Sequence, residues 1–153
     1  MINLVLDSNV LGKVCHPRPE NNRPVADWLL RCLNDSRYQV VLPEIADYEY
    51  RRLLLWRALY KQAPEARVSL NRLDRLKREV EFLRIDSDTM LLAAELWAEA
   101  RGSGLSIDSE HALSADLILA AQTRCCGNAQ VVTENRRHLS RFVAVFPLAL
   151  HLS

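Results

Sequence analysis

The stretch INLVLDSNVL, residues 2–11, decides the reading of the chain. From Ile2 to Leu6 every residue but Asn3 is apolar, as in a strand buried on both faces. Asp7, Ser8 and Asn9 then arrive together before Val10 and Leu11 restore the apolar character. A carboxylate directly after a core strand either caps the next helix or serves a site at the strand's end. The remaining sequence has to choose between these.

Working outward, strand-like and helix-like segments alternate. The pattern predicts strands over 2–6, 38–42 (YQVVL), 81–85 (EFLRI) and 129–133 (AQVVT), with a fifth over 142–146 (FVAVF). Between them it predicts helices. One opens at Pro24 with Val25, Trp28, Leu29 and Cys32 on one side. Another opens at Pro43 and runs to about Gln62, and a third covers about 66–81. A fourth has Ser87 as N-cap and Gly102 or Gly104 as stop, and the last spans 112–125 after a polar loop over 103–111. No repeat, linker or low-complexity tract interrupts this order, so the expectation is one α/β domain over 1–153. Its mostly parallel central sheet carries helices on both faces.

Composition excludes several classes. At 49% hydrophobic and 25% charged, the 153-residue chain has the make-up of a folded globular protein with a sizeable core. No stretch approaches the 18 apolar residues of a membrane span, and no basic, apolar leader is visible, so the expected location is cytoplasmic. The four cysteines, Cys15, Cys32, Cys125 and Cys126, form no C-x-x-C pair. Reduced packing cysteines are expected, with Cys32 and Cys125 in helical patterns, rather than a thiolate zinc site. The net charge of +1 conceals an uneven distribution. Nine Lys/Arg face only Glu65 and Asp74 between Arg51 and Arg78, whereas seven acids face only Arg101 between Asp86 and Asp116. The basic stretch is either a phosphate-contacting face or a solvated helical surface.

Two further acids interrupt apolar stripes. Glu49 stands four residues after Ile45 and four before Leu53, on the inward side of its helix. Asp116 stands three after Leu113 and four before Ala120 in the same manner. Glu44 suits the first turn of its helix, and Asp47 is expected to face solvent. In parallel sheets ligands collect beyond the carboxyl ends of the strands, so Asp7, Glu49 and Asp116 are expected to converge at one sheet edge. Three adjacent carboxylates repel unless protonated or bridged by a cation. Oxygen donors without sulfur or imidazole favour Mg²⁺ or Mn²⁺, ions shared with substrate phosphates. Such a cluster fits metal-assisted phosphoryl chemistry. Each acid also has a structural role open to it: Asp7 as a cap, Glu49 paired with an arginine, Asp116 stabilising a helix start. Asp108, in the loop before the last long helix, is a weaker fourth candidate.

On these residues the sequence resembles the PIN-domain family, especially bacterial ribonucleases of the VapC toxin type. LVLDSNVL is similar to the family's opening strand and D-[TS]-[NS] turn. LPEIADYEYRRLL resembles the segment with its second acid, at Glu49, and ALSADLILAAQ the segment with its third, at Asp116. VVTENRRHLSRF is similar to the late T-x-[DN]-x-x-H-[FL] stretch, with Asn135 at the fourth site position. The resemblance implies a three-layer α/β/α sandwich and Mg²⁺- or Mn²⁺-dependent endonucleolytic cleavage of RNA. Asp7, Glu49 and Asp116 would be direct or water-mediated metal ligands and Asn135 would orient a ligand or water. Ser8 and Asn9 would support the turn and Thr133 the loop holding Asn135. Many relatives carry Asp where this chain has Asn135; the amide leaves less negative charge for a second metal, which Asp108 would offset if its loop folds inward. The resemblance further implies a small antitoxin protein as partner and a homodimer. The long, arginine-rich region 50–81 departs from compact toxins of this type. Arg51, Arg52, Arg72, Arg75 and Arg78 are the expected contacts to RNA or to a partner.

Two other readings compete. A PIN-like module that binds RNA or protein without cutting would be expected to lose acids, and this chain keeps all three. An aspartyl-phosphate enzyme or receiver domain also places Asp after its first strand. However, the phosphatase pattern wants a second Asp where Asn9 stands, and the receiver pattern wants a late Lys that VVTEN lacks.

Overall fold

A computed structural model describes residues 1–104 and 110–152. The elements run β1 (Ile2–Leu6), α1 (Ser8–Val14), α2 (Arg23–Leu33), β2 (Tyr38–Pro43), α3 (Glu44–Tyr60), α4 (Glu65–Glu79), β3 (Glu81–Leu83), α5 (Ser87–Gly102), α6 (Glu110–Cys126), β4 (Ala129–Val132), α7 (Arg136–Leu139) and α8 (Leu148–His151). The four strands form one sheet in the order β3-β2-β1-β4, and every pairing is parallel. β1 is central, which is why Leu4, Val5 and Leu6 are completely buried.

Strand side chains alternate between two cores. Leu4, Leu6, Val40, Leu42 and Val132 pack with Val10, Leu11, Trp28, Ala46, Tyr50, Leu54 and Leu73, from α1, α2, α3 and α4. Val5, Val41 and Val131 point the other way, onto Ala115 and Leu119 of α6. α5 covers α6 from outside, with Ala93, Leu96 and Ala100 against Leu117, Ala120 and Ala121. Small residues at these positions let the two helices approach closely. The result is the expected α/β/α sandwich.

Local expectations meet several corrections. The fifth strand is reduced to a single parallel bridge between Val131 and Val145. The amides of Phe142 and Val143 both turn back to the Leu139 carbonyl, so the first half of FVAVF closes a turn. Pro147, without an N–H, follows the bridge. α1 carries no helical signature in the sequence: its seven residues are too few for a clear period, and it depends on packing Val10 and Leu11 into the core. α5 is capped by Asp86, whose carboxylate accepts from the Thr89 amide at 2.8 Å, rather than by Ser87. Cys15 and Cys32 are buried, but Cys125 is exposed instead of packed. Asp47 is buried rather than solvent-facing, because the Arg51 guanidinium neutralises it at 2.9 Å and also reaches Asp74 at 2.7 Å. α6 begins two residues earlier than expected; residues 105–109 of the expected loop, Asp108 included, lie outside the described residues. Among the described residues no helix is long and apolar enough to cross a membrane.

Candidate active site

Parallel pairing brings the ends of β1 and β4 side by side, and the Asp7 amide donates to the Val132 carbonyl at 3.0 Å. Asp7 therefore leaves β1 directly opposite Thr133. Asp7 is 5% exposed and caps α1, one carboxylate oxygen accepting from the Ser8 amide at 2.7 Å. Its other oxygen accepts from the Thr133 hydroxyl at 2.7 Å. Thr133 Oγ1 in turn accepts from the Asn9 side-chain amide at 3.2 Å and from the Asn135 backbone N–H at 2.9 Å. One buried hydroxyl thus ties Asp7, Asn9 and the segment carrying Asn135 together. At the rim, Lys13 of α1 pairs with Glu134.

Glu49 and Asp116 approach from the two helical layers. Glu49 lies in the second turn of α3, which begins as β2 ends. Asp116 lies in the second turn of α6. The two helices are locked by Gln122, which is 0% exposed. Its Oε1 accepts from the Ile45 amide at 3.1 Å and its Nε2 donates to the Leu83 carbonyl at 2.8 Å. A single α6 side chain therefore satisfies an unpaired donor in the first turn of α3 and the last carbonyl of β3. This fixes the α3–α6 relation and with it the approach of Glu49 to Asp116. Sequence reasoning passes over Gln122; the available signal is a lone amide inside the apolar run LILAAQ.

The electrostatics report the convergence. Burial pushes the Glu49 carboxyl up to about 7, and the nearby carboxylates of Asp7 and Asp116 add to the shift, against the opposing guanidinium of Arg52. Asp116 is pushed up to about 6, first by burial and then by Asp7, while His138 opposes the shift. Asp7 is also raised, by burial, although the Thr133 and Ser8 hydrogen bonds favour its charged form. Three acids on three elements thus hold excess negative charge in one partly desolvated place. His138, of the late motif's x-x-H, lies near enough to act on Asp116, a position to which the sequence pattern assigns no role. Among the described residues no three His, Cys, Asp or Glu side chains close into a ready-made metal cage. The donor set is all oxygen, which suits a hard divalent ion that keeps part of its water shell.

The arginines divide. Arg51 is committed to Asp47 and Asp74, Arg75 pairs with Glu79, and Arg72 donates to the His16 carbonyl. Arg78 is exposed on α4. Only Arg52 of the five lies beside an acid of the site, its guanidinium 5.0 Å from the Tyr48 ring centroid. An open groove of about 1010 Å³ begins at Ser8, Asn9 and Glu49 and continues past Arg52 and Trp56 between α1 and α3–α4.

No protein-family model and no curated protein matches the chain. Solved structures do. FitAcB from Neisseria gonorrhoeae superposes with a TM-score of 0.70 at 26% identity, over 95% of this chain and 98% of that one. VapBC2 from Rickettsia felis, bound to a DNA fragment from their promoter, gives 0.71 at 16% identity over 95% and 98%. VapBC-1 from nontypeable Haemophilus influenzae gives 0.70 at 16% over 97% and 99%. A parallel sheet in the order β3-β2-β1-β4, helices on both faces and near-complete overlap with one chain of each of these structures bear out, at the level of fold, the resemblance drawn from the four motifs: the chain has a PIN-like α/β/α fold, similar to that found in VapBC and FitAcB.

Proposed function

We propose that the chain is a divalent-metal-dependent endoribonuclease and the toxin of a toxin–antitoxin pair. The observation that carries the reading is the shared charge of Asp7, Glu49 and Asp116 at the carboxyl end of the sheet, with two of the three carboxyls held at about 6 and 7. Structural acids are normally stabilised in the charged form by their partners; here burial and mutual repulsion do the opposite, as at sites built to receive a cation. The likeness to VapBC and FitAB assemblies supports an antitoxin partner.

Asp7, Glu49 and Asp116 would hold Mg²⁺ or Mn²⁺, partly through water. When bound, the ion supplies charge neutralisation at the phosphoryl oxygens and acidifies a water for attack. The protein's own contribution is positional. Thr133 and the Ser8 amide hold both oxygens of Asp7, so this carboxylate cannot rotate away. Gln122 sets the distance between the Glu49 and Asp116 layers. Glu49, raised by burial and by its acidic neighbours in the metal-free protein, would take up its full charge as a ligand of the ion. Asn135, whose backbone is fixed by Thr133, orients a phosphate oxygen or water through its amide. A homodimer would form on the exposed apolar residues Leu55 and Leu59 of α3, which lie off the face that carries Glu49.

The test is cleavage of single-stranded RNA by metal-stripped protein. EDTA should abolish cutting, and Mg²⁺ or Mn²⁺ should restore it. Full activity in chelator would overturn the metal dependence, and RNA binding without cleavage in either ion would instead favour a non-cutting PIN-like module.

A further inference from the structure

The groove that opens from the acids explains a feature the site itself leaves over. On α3, Glu49, Arg52, Leu53, Trp56 and Arg57 follow at helical spacing, so they share one face, and all five line the groove. This face carries large apolar side chains that the core does not take: Trp56 is 49% exposed and Leu53 is exposed beside it. His16 and Arg18 form part of the opposite wall. Three arginines thus line the groove, and among the described residues Glu65 is the only acid on it beyond Glu49. Lys61 lies over one face of the Trp56 ring, its ammonium 4.8 Å from the centroid, so a base stacks on the other face or displaces this flexible side chain. Trp56 stands two helical turns from Glu49, about 10 Å along the axis.

We propose that this groove is the path of single-stranded RNA away from the scissile phosphodiester, with Trp56 as a base-stacking platform and Arg18, Arg52 and Arg57 as phosphate contacts. The inference rests on the ribonuclease reading and adds where the substrate lies. An exposed aromatic flanked by cations along an open channel is the arrangement by which proteins hold single strands, since every base offers a π-face and every linkage a negative charge. The volume of about 1010 Å³ is at the upper end of small-molecule sites, about 300–1,000 Å³, and leaves room beyond one nucleotide. The same geometry revises the role of the basic stretch. Arg52 and Arg57 on α3 and Arg18 across the groove are the arginines on its lining, so phosphate recognition along this path falls to them rather than to Arg51, Arg72, Arg75 or Arg78.

The experiment uses full-length protein carrying Asp116→Asn to prevent cutting, and a single-stranded oligoribonucleotide of about ten nucleotides, within the usual span of such sites. Trp28 is buried, so in a Trp97→Phe background the exposed indole is Trp56, and RNA should quench its fluorescence. Trp56→Ala should weaken binding about tenfold and Trp56→Phe much less, because a ring remains to stack. Arg18→Ala and Arg57→Ala should each lower the slope of log K against log salt by about 0.7. Unquenched Trp56 with RNA bound, or affinity and slope unchanged in these variants, overturns the path and leaves the groove to a protein partner. Cleavage by the otherwise wild-type protein is scored separately. An active enzyme whose Trp56 and Arg57 variants keep the original KM refutes only the path. A protein that binds RNA through Trp56 without cutting it refutes only the nuclease reading.

Discussion

Replacing Glu49 by glutamine separates a metal-binding acid from a structural one. In the metal-free protein Glu49 is raised from 4.5 to about 7, by burial first and then by Asp7 and Asp116. At about 1.36 kcal/mol per pKa unit this corresponds to an upper bound of roughly 3 kcal/mol against the ionised folded state. Glu49 is only half-buried and shares its charge with neighbours that readjust, so about 1–2 kcal/mol is the realistic size. The sign follows from linkage. Between pH 4.5 and about 7 the folded state holds a proton that the unfolded chain has released, so wild-type stability falls as pH rises through that window. The neutral amide of Glu49→Gln has no charge to desolvate. In chelator at pH 8 the variant should therefore melt higher than wild type by about 3–6 °C for a domain of this size. At pH 4.5 the advantage should be gone. With Mg²⁺ added at pH 8 the order should close or reverse, since the ion stabilises wild type by about 2.7 kcal/mol at a hundredfold excess over Kd and the variant by less. Melting curves at two pH values, with and without Mg²⁺, supply all of these comparisons. A variant no more stable than wild type at pH 8 in chelator, or a gap independent of pH, would refute the assignment of Glu49 to a repulsive acid cluster.

Other substitutions probe the rest of the site. Asp7→Asn keeps an acceptor for the Ser8 amide but loses the charge, so the fold should survive while RNA cleavage falls at least ~100-fold, or ~2.7 kcal/mol; a wild-type rate together with wild-type stabilisation by Mg²⁺ would leave Asp7 as a cap only. Thr133→Val keeps the shape but removes the hydroxyl that serves Asp7, Asn9 and the Asn135 amide; denaturant unfolding should show a loss of about 1–3 kcal/mol, and cleavage should drop as Asp7 loosens. Gln122→Leu strands the Ile45 amide and the Leu83 carbonyl, and should also cost about 1–3 kcal/mol by the same measurement, with a weaker response to Mg²⁺; unchanged unfolding would mean these groups find other partners.

Much of this architecture is legible in one dimension because its causes are local or periodic. β1 reads as a strand because a central parallel strand must be apolar on both faces, and Asp7 is conspicuous because it ends that run. Glu49 and Asp116 are conspicuous because each interrupts a stripe of period 3.6. The alternation of strands and helices determined the layered fold. The fifth strand failed because apolar character does not say whether a neighbour's backbone is in register; at 142–146 only Val145 finds one. Asp47 failed for a related reason: its burial depends on Arg51 and on the distant Asp74, and a pattern of single residues does not contain that pairing. The same holds for the arginines, which look alike in sequence until the fold commits some to carboxylates and a carbonyl and leaves others along the groove. Residue type and period thus determined which acids belong together and at which end of the sheet. Tertiary structure alone decided how they are held, through the Thr133 hydroxyl and the Gln122 amide, because hydrogen bonds between elements far apart in the chain exist only after the packing that excludes water from them.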